Sequence, residues 1–569
     1  MKRKKVLALV LTGVVATSGV LAGCGSSNDA ADSNKTQTTD TPDKEQVLNI
    51  AGYDFKTLDP SLVSDSESSS SLTNIYEGLM KEVDKDGKAT VEPAGCEKYK
   101  LSDDKLTYTF HLRKDAKWTD GKPVTAQQYV YSWKRLINPK TGSDYMTLLA
   151  ELNVKGAQDI IDAADAKKPT DDLVEKLGVE AKDDYTFVVH LEKPTPFFIN
   201  AMSFDDLVPI REDKVKEQGD KFGSDPKTTV YNGPFTITEY QKGSKIVYTK
   251  NDKYWGAKDI KLQTCNGSII NETTTLVKMF EGGELDVTGA SKDDLARLKQ
   301  KAQNKECQYV QGVDTGAYFN YVNVTRPIVK NKKVRQALSL AVDRKEMLDV
   351  VYKRCIPSYG IAPEGISCGD KDYRKEVKES IKTDKEQAKK LMAEGLKEEG
   401  VEASKAKITM LFGPKTSISQ SMGDYFQKLY KDAFGINLVL DYSPDSQSYF
   451  KKRQASDFDL CGGGWSADYN DVSSYFGVFL GANPNNNSKF KNAEYDKLVK
   501  DAASEQDNNK RMDMYKKAEE ILVKDEAAVI PTYYGDINSF RKNYVKGFEN
   551  PKFGGYYNLR TVYISGKTK

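Results

Sequence analysis

The sequence predicts a mixed α/β protein built from two or three domains. Three observations carry that prediction. The chain has 569 residues, well beyond what one ordinary hydrophobic core serves. Short runs of alternating apolar residues are interleaved along it with runs of helical period, the pattern of strands and helices packed together. Hydrophobic residues make up 38%, with 21 Phe and 32 Tyr, which is enough to fill more than one core.

In chain order, Val47-Leu48-Asn49-Ile50-Ala51 reads as a first strand, and Asp59-Pro60 turns the chain. Ser71 to Met80 has apolar residues at helical spacing. Tyr108 to Leu112 alternates as a strand, Thr119-Asp120-Gly121-Lys122 turns, and Thr125 caps a helix through Tyr129, Val130 and Trp133. Tyr185 to Leu191 echoes the strand at Tyr108, so the two are expected side by side in one small sheet. The two histidines, His111 and His190, lie on these strands and are expected in structural or edge positions. Val230 to Ile237 and Lys245 to Thr249 read as a hairpin. Leu276 to Glu281, Val334 to Val350, Thr383 to Glu398 and Ala493 to Lys524 read as helices. Lys407 to Phe412 and Ile436 to Leu440 read as strands between them.

The ends carry an address. Met1-Lys2-Arg3-Lys4-Lys5 is basic, Val6 to Ala22 is apolar and small, and Leu21-Ala22-Gly23-Cys24 closes the run as a bacterial lipoprotein box. Residues 1–23 are expected to be a signal peptide, with Cys24 accepting a lipid. An uncleaved anchor helix would equally place the chain outside the cell. Residues 24–46, rich in Ser, Asn, Asp and Thr, are expected to form a flexible tether. Loss of the four leading basic residues takes the formal charge from +2 to about −2. No basic excess exists to drive nucleic-acid binding. Six cysteines remain: Cys96, Cys265, Cys307, Cys355, Cys368 and Cys461. An even number in an oxidising compartment permits disulfides. Cys355 and Cys368 bracket a Pro/Gly-rich loop and are the favoured pair, against the alternative of buried free thiols.

The motifs of common enzymes are missing. There is no phosphate loop, no H-E-x-x-H metal site and no G-x-S-x-G nucleophile elbow. With two histidines in the chain, a His-rich metal site is not expected. The informative stretch is Gly462 to Asp471, G-G-G-W-S-A-D-Y-N-D. Three glycines bring backbone close to something or let the chain bend. Asp468 between Trp465 and Tyr469 could hold a cationic end group, although a loop Asp is more often a turn former.

Several segments in fixed order resemble the oligopeptide-binding lipoproteins of ABC importers (OppA type, solute-binding protein family 5). They are Leu58-Asp59-Pro60 with Tyr76-Glu77-Gly78-Leu79; Tyr108 to Trp133; Asn232-Gly233-Pro234-Phe235; Asn251 with Tyr254-Trp255; Val334 to Arg344; and Trp465 to Asp471. The resemblance implies a periplasmic-binding-protein-like α/β fold, class II (cluster C), with two ligand-clamping lobes plus an extra small α/β lobe. Lobe I would comprise 47–66, 205–311 and 536–569, lobe II 67–204, and lobe III 312–535. Crossovers would lie near Val310 to Asp314 and Ile530 to Tyr534. An oligopeptide would add as a strand between the lobes, held by backbone bonds that ignore its sequence. Asp468 matches the carboxylate that receives the peptide's amino terminus, and Asp54 a second acidic position. Tyr145 aligns with a contact tyrosine. Tyr231, Asn232 and Gly233 would offer backbone edges, as would Gly464, Trp465 and Ser466, with Tyr469 beside them. The resemblance implies no catalysis, no cofactor and no metal. It implies a monomer on the outer face of a Gram-positive-type membrane, delivering peptides to ABC transporter permease subunits. A dipeptide, a signalling peptide, a nickel chelate or a sugar would suit the same architecture. The groups that receive a peptide carboxylate are not placed by it.

Overall fold

The computed structural model describes residues 41–85 and 88–567; the signal peptide, Cys24 and residues 24–40 of the tether lie outside them. Three main sheets organise the body. The first has four strands, in the order Val47–Gly52, Thr264–Ile269, Lys245–Lys250 and Phe235–Gln241. Its leading pair is parallel and the rest antiparallel. The second is antiparallel, in the order Cys96–Leu101, Thr107–Leu112, Thr186–His190 and Val179–Asp183. The two echo strands are adjacent in it, with Phe110 opposite Phe187. Phe187 stacks on Tyr129 and meets Trp133 edge-on, so the helix Ala126–Ile137 covers this sheet. That helix starts where the sequence places it, through a capping box between Thr125 and Gln128.

The third sheet is mixed and has seven strands. Its main order is Val287–Thr288, Val529–Arg541, Gln308–Val322, Leu460–Ser466, Lys407–Phe412 and Asn437–Tyr442, with Ile356–Pro357 alongside Val529–Arg541. Alternate residues feed two cores on its opposite faces. Leu411, Cys461 and Val529 point to one, and Met410, Leu460 and Ile530 to the other. Two long strands, Gln308–Val322 and Val529–Arg541, run antiparallel along each other. Their register shifts between Val313 and Ala317, so residues accumulate on one strand there. Outside the shift, Phe540 joins a small core under the helix Lys292–Gln303; inside it, Phe319 and Ile530 join the large sheet's cores. The irregularity thus lies between separately packed regions of the sheet.

Three expectations are corrected. The helix expected at Ser71 to Met80 is Ser66–Ile75, because the Asp65 carboxylate accepts from the Ser68 N–H and starts it early. Val334 to Val350 is two helices, Lys332–Ala341 and Arg344–Val351. They break because the Asp343 side chain caps the second, while buried Arg344 donates to the Val342 and Pro531 carbonyls. The favoured disulfide does not form. Cys368 is buried against the Arg511 guanidinium, whereas the Cys355 thiol donates to Asp536 Oδ1, 3.3 Å away. All six cysteines of the body are free thiols. Adding a reductant is therefore expected to leave the melting temperature unchanged, and a thiol reagent should titrate the five buried cysteines only as the protein unfolds, with half-buried Cys355 reacting first. A lower melting temperature under reductant would reveal a bridge.

Candidate ligand-binding site

The strand Leu460–Ser466 is where the site begins. On one side it pairs with Gln308–Val322, with Gly464 opposite Tyr318 and Trp465 opposite Ala317. The approach is too close for a side chain. A Cβ on Gly464 would lie 2.7 Å from the Ala317 carbonyl oxygen, and one on Gly463 would lie 2.8 Å from the Tyr321 ring. On its other side the strand Lys407–Phe412 reaches only Leu460 and Cys461, so Gly462 to Ser466 keep an edge with no strand partner. The Tyr449 hydroxyl donates to the Gly462 carbonyl at this edge, 2.6 Å.

Past the strand the chain turns through Ala467 to Ser474, and buried contacts fix the turn. Asp471 is gripped by both terminal nitrogens of Arg511, with essentially no exposure of either side chain. Tyr469 stacks on Phe197 at 5.7 Å, nearly coplanar. Asn470 donates to the Ala89 carbonyl and accepts from the Ser367 N–H. This scaffold holds Asp468. Its Oδ1 accepts from the Tyr145 hydroxyl at 2.8 Å, and its Oδ2 from the Ser474 hydroxyl at 3.0 Å. Tyr145 and Asp468 are 323 residues apart in sequence. Burial pushes the Asp468 carboxyl up to about 7; the two hydroxyls oppose the shift, and the charges of Glu151 and Asp205 add to it.

Asp468 stands where two cavities meet, one of about 390 Å³ and one of about 180 Å³, and a third of about 290 Å³ adjoins them through Ser466, Tyr318 and Gly554. Carboxylates dominate the walls near it. Asp205 accepts from the Ser69 and Thr73 hydroxyls and is raised by burial to about 6. Burial raises Glu67 to about 7, helped by the charge of Asp65. Among the described residues, no group of three or more His, Cys, Asp or Glu is placed to hold a metal ion.

The structure gathers Gly464, Trp465, Ser466, Asp468 and Tyr145 around the 180 Å³ cavity. Tyr469 packs behind the loop and is 2% exposed. The other expected residues are elsewhere. Asp54 closes the tip of a hairpin, accepting from the Tyr240 hydroxyl and the Gly243 N–H, both at 2.9 Å. Tyr231 and Gly233 have spent the backbone groups they were expected to offer. The Tyr231 N–H donates to Thr119 Oγ1 and its carbonyl accepts from the Thr119 N–H. The Gly233 N–H donates to the Ile75 carbonyl and its own carbonyl accepts from Asn251. The Asn232 side chain is tied to the Glu77 backbone. These three residues staple distant segments together. Sequence reasoning missed Asp65, Glu67, Asp206 and Arg453, all of which line the 180 Å³ cavity. Glu67 sits in a serine-rich helix that reads as solvated, yet Ser68 to Ser71 are buried.

The fold and this site define a mixed α/β protein with a cleft suited to a ligand, and comparison with known proteins gives its family. Residues 90–487 match the model of the bacterial extracellular solute-binding proteins, family 5. The periplasmic oligopeptide-binding protein OppA of Haemophilus influenzae is 30% identical over 534 residues, covering 92% of this chain and 95% of that protein. The dipeptide-binding protein DppE of Bacillus subtilis is 31% identical over 547 residues, covering 95% and 96%. The structure of Listeria monocytogenes OppA bound to peptide superposes with a TM-score of 0.82 at 31% identity, covering 92% of this chain and 100% of that one. The chain belongs to solute-binding protein family 5. It is a solute-binding protein of the kind that serves ABC transporters, works outside the cytoplasm, and is not an enzyme.

The shifted carboxyl makes binding and stability respond to pH in opposite directions. An ammonium ligand needs Asp468 ionised, so affinity should fall by about tenfold per pH unit below about 7, where the free protein holds a proton there. Stability has the other sign. The folded Asp468 and Glu67 carboxyls lie above their unfolded values, so the penalty of ionising them grows as pH rises from about 4 to about 7. The ligand-free protein should therefore melt higher at pH 6 than at pH 8. Calorimetry and thermal melts across pH 5.5 to 8.5 check both; affinity that is flat below pH 7 would contradict the first.

Proposed function

We propose that the chain is a lipid-anchored receptor that captures oligopeptides with a free amino terminus and hands them to an ABC importer. One observation carries this reading: a buried carboxylate, Asp468, lies a short turn beyond a strand edge that has no partner. An extended peptide could add to the edge at Gly462 to Ser466 through its backbone, while its ammonium pairs with Asp468. Backbone pairing gives affinity without dependence on sequence, and the cavities accept side chains of many shapes, with water filling the remainder. Cavities on both sides of Asp468 favour an oligopeptide, because a dipeptide would leave much of the 390 Å³ space empty. Arg453 and Arg354, in the cleft walls, are candidates to receive the carboxylate of a short peptide.

In this reading the lobes are those expected from the sequence: 47–66, 205–311 and 536–569 as lobe I, 67–204 as lobe II and 312–535 as lobe III. The shifted register between Val313 and Ala317 is the place where the two long strands could bend as a hinge. The protein acts as a monomer. Residues 1–23 are removed and Cys24 carries the lipid on a Gram-positive-type surface. Native mass spectrometry of protein purified from cells tests the ligand: peptides of several residues, intact, are expected, and a sugar or a metal chelate in their place would overturn the proposal. Cys24→Ala is expected to give a soluble protein with full peptide affinity that no longer fractionates with membranes. A variant still found in the membrane fraction would point to another anchor.

A further inference from the structure

The cavity of about 180 Å³ beside Asp468 is lined by more carboxyl groups than its own basic side chains can pair. Asp65, Glu67, Asp206 and Asp468 line it, and Arg453 is its only basic lining residue. That guanidinium lies against the rings of Phe450, Tyr449 and Tyr321, and its charge acts on Asp65 and Glu67. Asp206 is left without compensation. It is 0% exposed, and among the described residues neither of its carboxyl oxygens has a hydrogen-bond partner. Its carboxyl is held well above the usual carboxylate range, first by burial and then by Asp468, Asp205, Asp59 and Asp144, all of them negative.

Asp206 is also rigidly placed. It sits in the short turn Asp205–Leu207, whose exit is pinned by Trp133 Nε1 donating to the Leu207 carbonyl at 3.2 Å and by Ser132 donating to the Val208 carbonyl at 2.7 Å. A buried carboxylate with no donor is costly, and a fixed one cannot turn away to find a donor. Among the described residues no donor reaches it, so a ligand's cationic group would find it unclaimed. Asp468 already accepts two hydroxyls and is assigned the ammonium, so a second cationic group is what Asp206 lacks.

We propose that this cavity is a side-chain subsite selecting a basic residue, lysine or arginine, at the first or second position of the peptide, with Asp206 recognising its charge. The proposal rests on the peptide-receptor reading above and adds a specificity to it. The 180 Å³ space takes a long unbranched side chain, and Trp465 and Tyr145 supply apolar wall for its methylene stem.

Calorimetry with free-amino tripeptides tests it. The peptides carry lysine, Nε-acetyl-lysine or norleucine at the first or second position. At one of those positions the native protein should bind the lysine peptide at least about tenfold more tightly than the norleucine peptide, with acetyl-lysine behaving like norleucine. Asp206→Asn should abolish that preference while keeping the affinity for norleucine. Equal lysine and norleucine affinities at both positions overturn the subsite, and need no variant. Asp206→Asn weakening every peptide alike also overturns it, because Asp206 would then serve the amino terminus. If Asp206→Asn does not fold, Glu67→Gln takes its place and should reduce the lysine preference; an undiminished preference in it overturns the carboxylate origin. Binding of none of these peptides overturns the receptor reading itself, a result distinct from binding without discrimination.

Discussion

Replacing Asp468 by Asn is expected to weaken the binding of free-amino peptides by about 2–5 kcal/mol, or about 30-fold to several thousand-fold in Kd. The size follows from burial. The carboxyl group is buried, held by the Tyr145 and Ser474 hydroxyls and facing the cavities without a cationic partner among the described residues. A bound ammonium there would lose its hydration, and with an amide opposite it would recover only a dipole. Acetylating the peptide's amino group should cost the native protein a similar amount. The two losses should not add, because each removes one half of the same pair. The free variant should fold at least as well as the native protein, since it no longer carries a carboxyl raised by burial. Calorimetry on the four combinations of protein and peptide measures the coupling. Full additivity, or unchanged affinity in the variant, would remove Asp468 from the amino-terminal site.

The largest stability loss is expected from Arg511→Met, about 3–5 kcal/mol. Arg511 is fully buried and binds both oxygens of Asp471, and its Nε donates to the Ala502 carbonyl at 2.9 Å. Its guanidinium also lies over the Phe197 and Tyr515 rings, 5.0 and 5.2 Å from their centres. Methionine fills part of that volume but strands the Asp471 carboxylate in the core. Asp471 follows Asp468 by three residues, so the turn that aims the ligand carboxylate should loosen, and peptide affinity should fall too. Removing the stranded charge as well, in Arg511→Met with Asp471→Leu, should recover part of the stability. Urea denaturation of both variants checks this. A single variant as stable as the native protein would show that the pair does not hold the turn.

What the sequence made legible were features written in contiguous residues. Thr125 with Gln128 announces a helix start, the alternation at Tyr108 and Tyr185 announces paired strands, and the glycine run points to a close approach that Tyr318 and Tyr321 explain at Gly463 and Gly464. Asp468 and Tyr145 could be named together only through family resemblance, because nothing local links residues so far apart. Asp206 was out of reach. Its character comes from having no partner, and that depends on the folding of several other segments around it. Tyr231 to Gly233 were misjudged for the same reason: their backbone groups look free until Thr119, Ile75 and Asn251 are brought to them. The split at Val342 was hidden because the apolar spacing continues through it, and only Arg344 reaching to Pro531 reveals the break.

The unpartnered edge at Gly462 to Ser466 is the kind of surface that draws chains into aggregates when it lies on the outside of a protein. Here it borders a cleft, beside cavities of a few hundred Å³. If the proposed receptor reading holds, a single extended segment is what completes that edge, so a liability for self-association becomes a preference for unfolded ligands.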